Sequence, residues 1–148
     1  MVKIREVELK DLPMVVELCE LHAAFEGVSY SKEGKQKRLE KAFFSVPRSA
    51  YCLVAENDTN VIGYATATKE FSTWDAAYYL HMDCLYIKES HRGGGLGGRF
   101  LNEIKDLAKK LECTHVQWQT PSDNHKAIAF YHAQNAYSKD KKRFFLNI

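Results

Sequence analysis

The stretch from Tyr78 to Gly98 limits what this chain can fold into more than any other. It opens with an apolar, aromatic run, YYLHMDCLYI, whose residues suit a pleated and buried surface. After KES it breaks into His91-Arg92-Gly93-Gly94-Gly95-Leu96-Gly97-Gly98. Glycine permits the positive φ angles that let consecutive backbone N–H groups converge on one point. Beyond the loop, Leu96, Phe100, Leu101, Ile104, Leu107, Ala108 and Leu111 recur at helical spacing. The loop therefore feeds a helix N-terminus, whose dipole and orphan donors favour a phosphate. Strand, donor loop and helix are expected to form one anion-gripping unit.

Spacing separates three loops of this kind. A Walker loop needs Lys and Ser/Thr after its last glycine, but Arg99 and Phe100 follow Gly98. The dinucleotide pattern G-x-G-x-x-G does match Gly93, Gly95 and Gly98, yet no acidic residue stands about 20 residues on, and the loop sits mid-chain. The third pattern is R-x-x-G-x-G, carried by Arg92, Gly95 and Gly97 at the end of a long strand. It resembles the acetyl-CoA pyrophosphate loop of the GNAT superfamily of N-acetyltransferases. A second segment, Asn124-His125-Lys126-Ala127-Ile128-Ala129-Phe130-Tyr131, resembles that family's later N-x-x-A-x-x-F-Y helix.

The resemblance implies a cofactor and its contacts. Acetyl-CoA would be the co-substrate, its pyrophosphate held by the loop Arg92, Gly93, Gly94, Gly95, Leu96, Gly97 and Gly98. The backbone of Leu85, Tyr86 and Ile87 would pair with the pantetheine amides, and Asn124 and Lys126 would also touch the cofactor. Tyr131 would face the CoA sulfur and protonate the departing thiolate. The family commonly has glycine just after this helix, where Asn135 stands here; asparagine is the next most tolerant residue of a left-handed cap.

Bulk properties exclude several alternatives. A length of 148 residues suits one domain spanning 1–148. A formal charge of +2 argues for neither nucleic acid nor membrane, and no apolar run approaches the ~18 residues of a membrane span. Cys19, Cys52, Cys84 and Cys113 form no C-x-x-C pair and lie in apolar stretches, which suits a reducing cytoplasm. Met1 to Lys10 is charged and lacks the apolar core of a signal peptide. Neither histidine nor cysteine spacing suggests a metal site.

In chain order the pattern predicts a strand at Lys3–Val7, then a helix capped by Asp11 with Pro13 in its first turn and ended by Gly27. A second helix from Ser31 to Phe44, weakened by Gly34, comes next. Ala50–Glu56 and Val61–Lys69 make a hairpin about 57–60, and a loop at Phe71–Ala76 precedes the central strand. Thr114–Gln119 is a further strand, parallel to the central one, followed by a helix at Asn124–Asn135 and a last hairpin from Ala136–Asp140 and Arg143–Asn147. The fold class is α/β. The GNAT resemblance implies a mixed, mostly antiparallel sheet with a parallel pair in the middle and helices on both faces.

Acetyl transfer from a thioester to an amine needs an unprotonated nucleophile, and a lysine-like amine with a pKa of about 10.4 is mostly protonated at neutral pH. Strict alternation puts Tyr79, His81, Asp83, Leu85 and Ile87 on one face of the central strand. A carboxylate desolvated among apolar neighbours would rise toward a base's range, which makes Asp83 the first candidate and His81 the competitor. Asp83 stands where the resembling spermidine/spermine acetyltransferases carry a glutamate assigned to deprotonation. The resemblance also matches Phe25-Glu26 to an aromatic-acidic pair of the polyamine enzymes. Glu26, Asp83 and Asp75 could attract a cationic small-molecule amine on which Trp74 and Tyr79 stack. Open alternatives are a protein, peptide or aminoglycoside acceptor, and a module that binds acetyl-CoA without turnover. Phe144-Phe145-Leu146 and the family's habit of dimerising suggest a homodimer.

Overall fold

β-branched and aromatic runs build a five-stranded sheet. In the computed structural model, which describes residues 1–148, the strands are β1 (Val2–Glu6), β2 (Tyr51–Asn57), β3 (Asn60–Ser72), β4 (Ala77–Ile87) and β5 (Val116–Gln117). They lie side by side in chain order, antiparallel from β1 to β4, with β4 and β5 parallel. The mixed, mostly antiparallel sheet of the expected α/β class is therefore present. Its parallel pair lies at one edge, because the tail adds no strand.

Four helices accompany the sheet: α1 (Leu12–Phe25), α2 (Lys35–Phe44), α3 (Leu96–Lys110) and α4 (His125–Ala133). Val15 and Leu18 of α1 and Phe43 of α2 pack with Cys52, Val54 and Tyr64 on one face. The alternate residues Leu53, Ala55, Ala65 and Ala67 are buried on the other face, with Phe100 and Ile104 of α3. Gly63 permits that second layer: a Cβ there would stand 2.9 Å from the Tyr86 carbonyl oxygen and 3.3 Å from Phe100 Cε2. Burial of one apolar stripe per helix, at about 25 cal/mol per Å², drives both layers.

Helix ends follow local chemistry. Gly27 takes φ +72°, its N–H bonding Ala24 O at 3.1 Å while Val28 N–H bonds Ala23 O at 2.8 Å, which closes α1 as a Schellman turn. Asn135 at φ +66° closes α4 the same way, so asparagine does replace the expected glycine. Asp11 precedes α1 as expected but does not cap it. Its carboxylate accepts instead from Glu8 N–H at 2.7 Å and from both terminal nitrogens of Arg5, at 2.7 and 3.0 Å.

The larger departures from expectation are four. α2 begins at Lys35 rather than Ser31, because Gly34 takes φ +67° and acts as its cap. β3 continues through Phe71 to Ser72, pairing with β4 as far as Ala77, so the expected loop shrinks to 73–76. β5 shortens to two residues. Finally, 136–148 forms no hairpin. An isolated two-stranded ribbon is marginal in water, and Tyr137, Phe144 and Phe145 remain exposed.

The chain falls into two compact units, Met1–Trp118 with the sheet and α1–α3, and Gln119–Ile148 with α4. No helix is long and apolar enough to cross a membrane.

Candidate active site

The expected donor loop forms at the C-terminal end of β4. Gly93 and Gly95 adopt φ +86° and +78°, Gly95 is the left-handed residue that starts α3, and Gly97 and Gly98 lie in its first turn. Side chains other than hydrogen would meet strain at the two left-handed positions, and no atom lies within 4 Å of where a Cβ on Gly93, Gly94 or Gly95 would project. Leu96 is buried and ties the loop to the core. The loop thus presents bare backbone to open space at the start of a 15-residue helix, which fits a pyrophosphate.

β4 supplies the second part. β5 pairs with it only at Leu80 and His81, so the stretch Leu85-Tyr86-Ile87 has β3 on one edge and no strand on the other. Unpaired strand edges offer alternate N–H and C=O groups, which suits the amides of a pantetheine arm. The Arg92 side chain engages β4 and the end of α1: Nε donates to Ile87 O at 2.7 Å, and the guanidinium stands 4.8 Å from the Phe25 ring centre and 5.2 Å from that of Tyr86.

The expected alternation of β4 fails at Asp83. Cys84 pairs with Thr66 and Met82 with Ala67, leaving Asp83 as the extra residue of a β-bulge. Leu80, Met82, Leu85 and Ile87 therefore share one face, and Cys84 and Tyr86 turn toward α1. Nor is Asp83 desolvated: its side chain is 66% exposed, 4.0 Å from His81 Nε2. Burial cannot be what would make it a base.

Glu26 lies at the C-terminal end of α1, where the structure assembles a cluster that spacing did not reveal. His22 Nε2 is 2.7 Å from Glu26 Oε2, and His22 Nδ1 is 3.0 Å from the Tyr64 hydroxyl. The imidazole stacks on Tyr86 at 5.2 Å with 22° between the planes. Burial lowers the His22 pKa, with Glu26 opposing, and the charge of Asp83 also acts on the ring. Burial holds the Tyr64 phenol protonated and pushes the neighbouring Cys84 thiol up to about 12. A 3.6-residue period places His22 and Glu26 on one helix face, which was the available signal; their partners Tyr64 and Tyr86 come from distant strands.

Trp74 does not join this group. It is almost wholly exposed in the β3–β4 turn, and β4 from Ala77 to Tyr86 spans about 30 Å at a rise of about 3.3 Å per residue. Tyr79 likewise stacks elsewhere, on His115 at 5.4 Å.

In the second unit, Asn124 caps α4. Its Oδ1 accepts from Ala127 N–H at 3.3 Å and its Nδ2 donates to Thr120 Oγ1 at 3.4 Å. Lys126 is exposed in the first turn, and Tyr131 packs beside Phe130 at 5.3 Å.

A glycine loop between a long strand and an amphipathic helix, set in a mixed sheet, defines a class of acyl-transfer fold. Residues 15–136 match the acetyltransferase (GNAT) family, and the chain belongs to that family. It is an acyl-CoA-dependent N-acetyltransferase. The chain is 24% identical to the thialysine N-epsilon-acetyltransferase of Bos taurus over 143 residues, covering 91% of this chain and 84% of that one. It is 24% identical over 141 residues to the spermidine/spermine N(1)-acetyltransferase-like protein 1 of Homo sapiens, covering 90% of this chain and 20% of that one. Its backbone is also similar to the crystal structure of a possible acetyltransferase from Clostridium difficile 630, with a TM-score of 0.84 and 21% identity over 100% of this chain and 98% of that one.

Proposed function

We propose that this enzyme moves an acetyl group from acetyl-CoA to the primary amine of a small, polyamine-like cation, by direct transfer with both substrates bound. The observation that carries this reading is Glu26 at the end of α1, 2.7 Å from His22 Nε2 and next in the chain to Phe25, whose ring lies 4.8 Å from the Arg92 guanidinium, with the charge of Asp83 also acting on His22. Acetyl-CoA supplies an activated thioester carbonyl. Backbone N–H groups of Gly93 to Gly98 hold its pyrophosphate, and the open edge of Leu85 to Ile87 orients its arm. Glu26 and Asp83 draw in the cationic acceptor.

Asp83, exposed and one methylene shorter than the glutamate of the resembling enzymes, takes the amine proton through water. An N–H of β4 can stabilise charge developing on the carbonyl oxygen. Tyr131 protonates the departing sulfur. Reference phenol and thiol pKa values, about 10 and 8.5, make that transfer nearly balanced. Relatives named for thialysine and for spermidine/spermine support a cationic amine acceptor.

A panel of diamines, polyamines, thialysine, aminoglycosides and peptides, assayed for CoA release, tests the acceptor class. Turnover confined to peptides would overturn it. Gly95→Val is expected to weaken CoA binding at least tenfold by calorimetry, because a β-branched residue at φ +78° distorts the donor loop. Equal affinity would remove the pyrophosphate assignment. Asp83→Asn should lower kcat/KM most at neutral pH and recover partly as pH rises, since the acceptor then deprotonates unaided. Should Asp83→Asn be silent while His81→Ala abolishes neutral-pH activity, the base is His81. The exposed Phe144, Phe145 and Leu146 support a homodimer, against which a monomeric mass in light scattering would count.

A further inference from the structure

We infer that His22 is a positioning residue of the acceptor site: its Nε2–H holds the Glu26 carboxylate in one orientation for the acceptor's ammonium, and protonation of the ring withdraws that carboxylate from the acceptor. The inference rests on the proposed role of Glu26 and adds the group that governs it. Three contacts leave the ring little freedom. Tyr64 OH stands 3.0 Å from Nδ1, Tyr86 covers one face, and Glu26 Oε2 stands 2.7 Å from Nε2.

Tyr64 is 1% exposed and its phenol stays protonated, so its hydroxyl can donate to Nδ1. A neutral imidazole has one N–H, which then must lie on Nε2 and point at Glu26. The tautomer follows from the partners. Hydrogen-bonded in this way, the Glu26 carboxylate loses rotamer freedom, and its side chain remains 33% exposed, open to a ligand. A second proton on His22 would turn the contact into an ion pair and cancel the charge that attracts a cation.

The groups facing His22 determine when this occurs. Glu26 from α1 and Asp83 from β4 favour the protonated ring, whereas Arg92 and burial oppose it, and burial outweighs the others. Cys19 of α1 and Cys84 of β4, both neighbours of Tyr64, have thiols held up by burial and stay neutral near pH 7. The ring is thus neutral at pH 7 and gains its proton only below the usual histidine range of about 6.5.

The full-length enzyme tests this with a protonated diamine as acceptor. His22→Leu should raise the acceptor KM about tenfold with CoA affinity unchanged, the loss expected for a hydrogen bond to a charged group. His22→Gln places an amide N–H near Nε2 and should restore part of that loss. In the wild type the diamine KM should rise as pH falls below about 6.5, and this acid limb should vanish in His22→Gln, which cannot ionise. A purely structural role would not remove it. Imidazole ¹⁵N NMR of the wild type should show the Nε2–H tautomer and should respond to Glu26→Gln; it reads the geometry even where His22→Leu fails to fold. An Nδ1–H tautomer, or an acid limb that survives in His22→Gln, overturns the inference. If Glu26→Gln raises the diamine KM and neither His22 variant does, the acceptor assignment stands and the positioning role falls. An unchanged KM in Glu26→Gln removes both.

Discussion

Asp11→Ala is expected to destabilise the fold by about 1.5–3 kcal/mol, the worth of hydrogen bonds to a charged group when Arg5 keeps Glu56 as its other partner, against a total of about 5–15 kcal/mol for a domain. Asp11 is 4% exposed, and Arg5 bridges it to Glu56 through bonds of 2.7 to 3.2 Å. Asp11 also accepts Glu8 N–H, so its removal loosens β1, β2 and the entry to α1 at once. Burial pushes the Asp11 carboxyl up, but Arg5 and the Glu8 N–H together outweigh it and hold it below the ordinary carboxylate range. Such a group contributes its stability above the unfolded value of about 3.9 and loses it as pH falls through the lower folded value. Urea unfolding should therefore show a loss of stability in the wild type below about pH 4 that is reduced in Asp11→Ala. A cost under about 1 kcal/mol would mean that water reaches Arg5 once Asp11 is gone.

Tyr131→Phe is expected to lower kcat by about 10²- to 10⁴-fold, the contribution of a general acid, with CoA affinity nearly unchanged. In the proposed role the hydroxyl acts only as sulfur departs, so binding of the ground state would not need it. The phenyl ring keeps the contact with Phe130, which limits the structural cost of the substitution. Steady-state rates and CoA calorimetry on the same preparation separate the two effects. A loss below about threefold would mean the thiolate leaves unaided and Tyr131 only packs.

Local signals in the chain were legible. Gly93 and Gly95 announced a left-handed loop, the period of Leu96, Phe100 and Ile104 announced α3, and Asn135 announced the end of α4; each depends on neighbours within a turn or two. The expected tail hairpin failed because alternation says which residues suit a strand and not whether a sheet edge awaits them.

What the amino-acid order determined by itself was this set of local conformations and the choice of Glu26, Asp83 and Tyr131 as candidates for the chemistry. Only the tertiary structure decided which of the sheet-side groups meet. The bulge at Asp83 turned part of β4 over, the length of the β3–β4 arm carried Trp74 away from Glu26, and packing of α1 on β3 and β4 delivered Tyr64 and Tyr86 to His22. Strand register and helix packing are set by summed burial over residues far apart in the chain, and no window of sequence contains that sum.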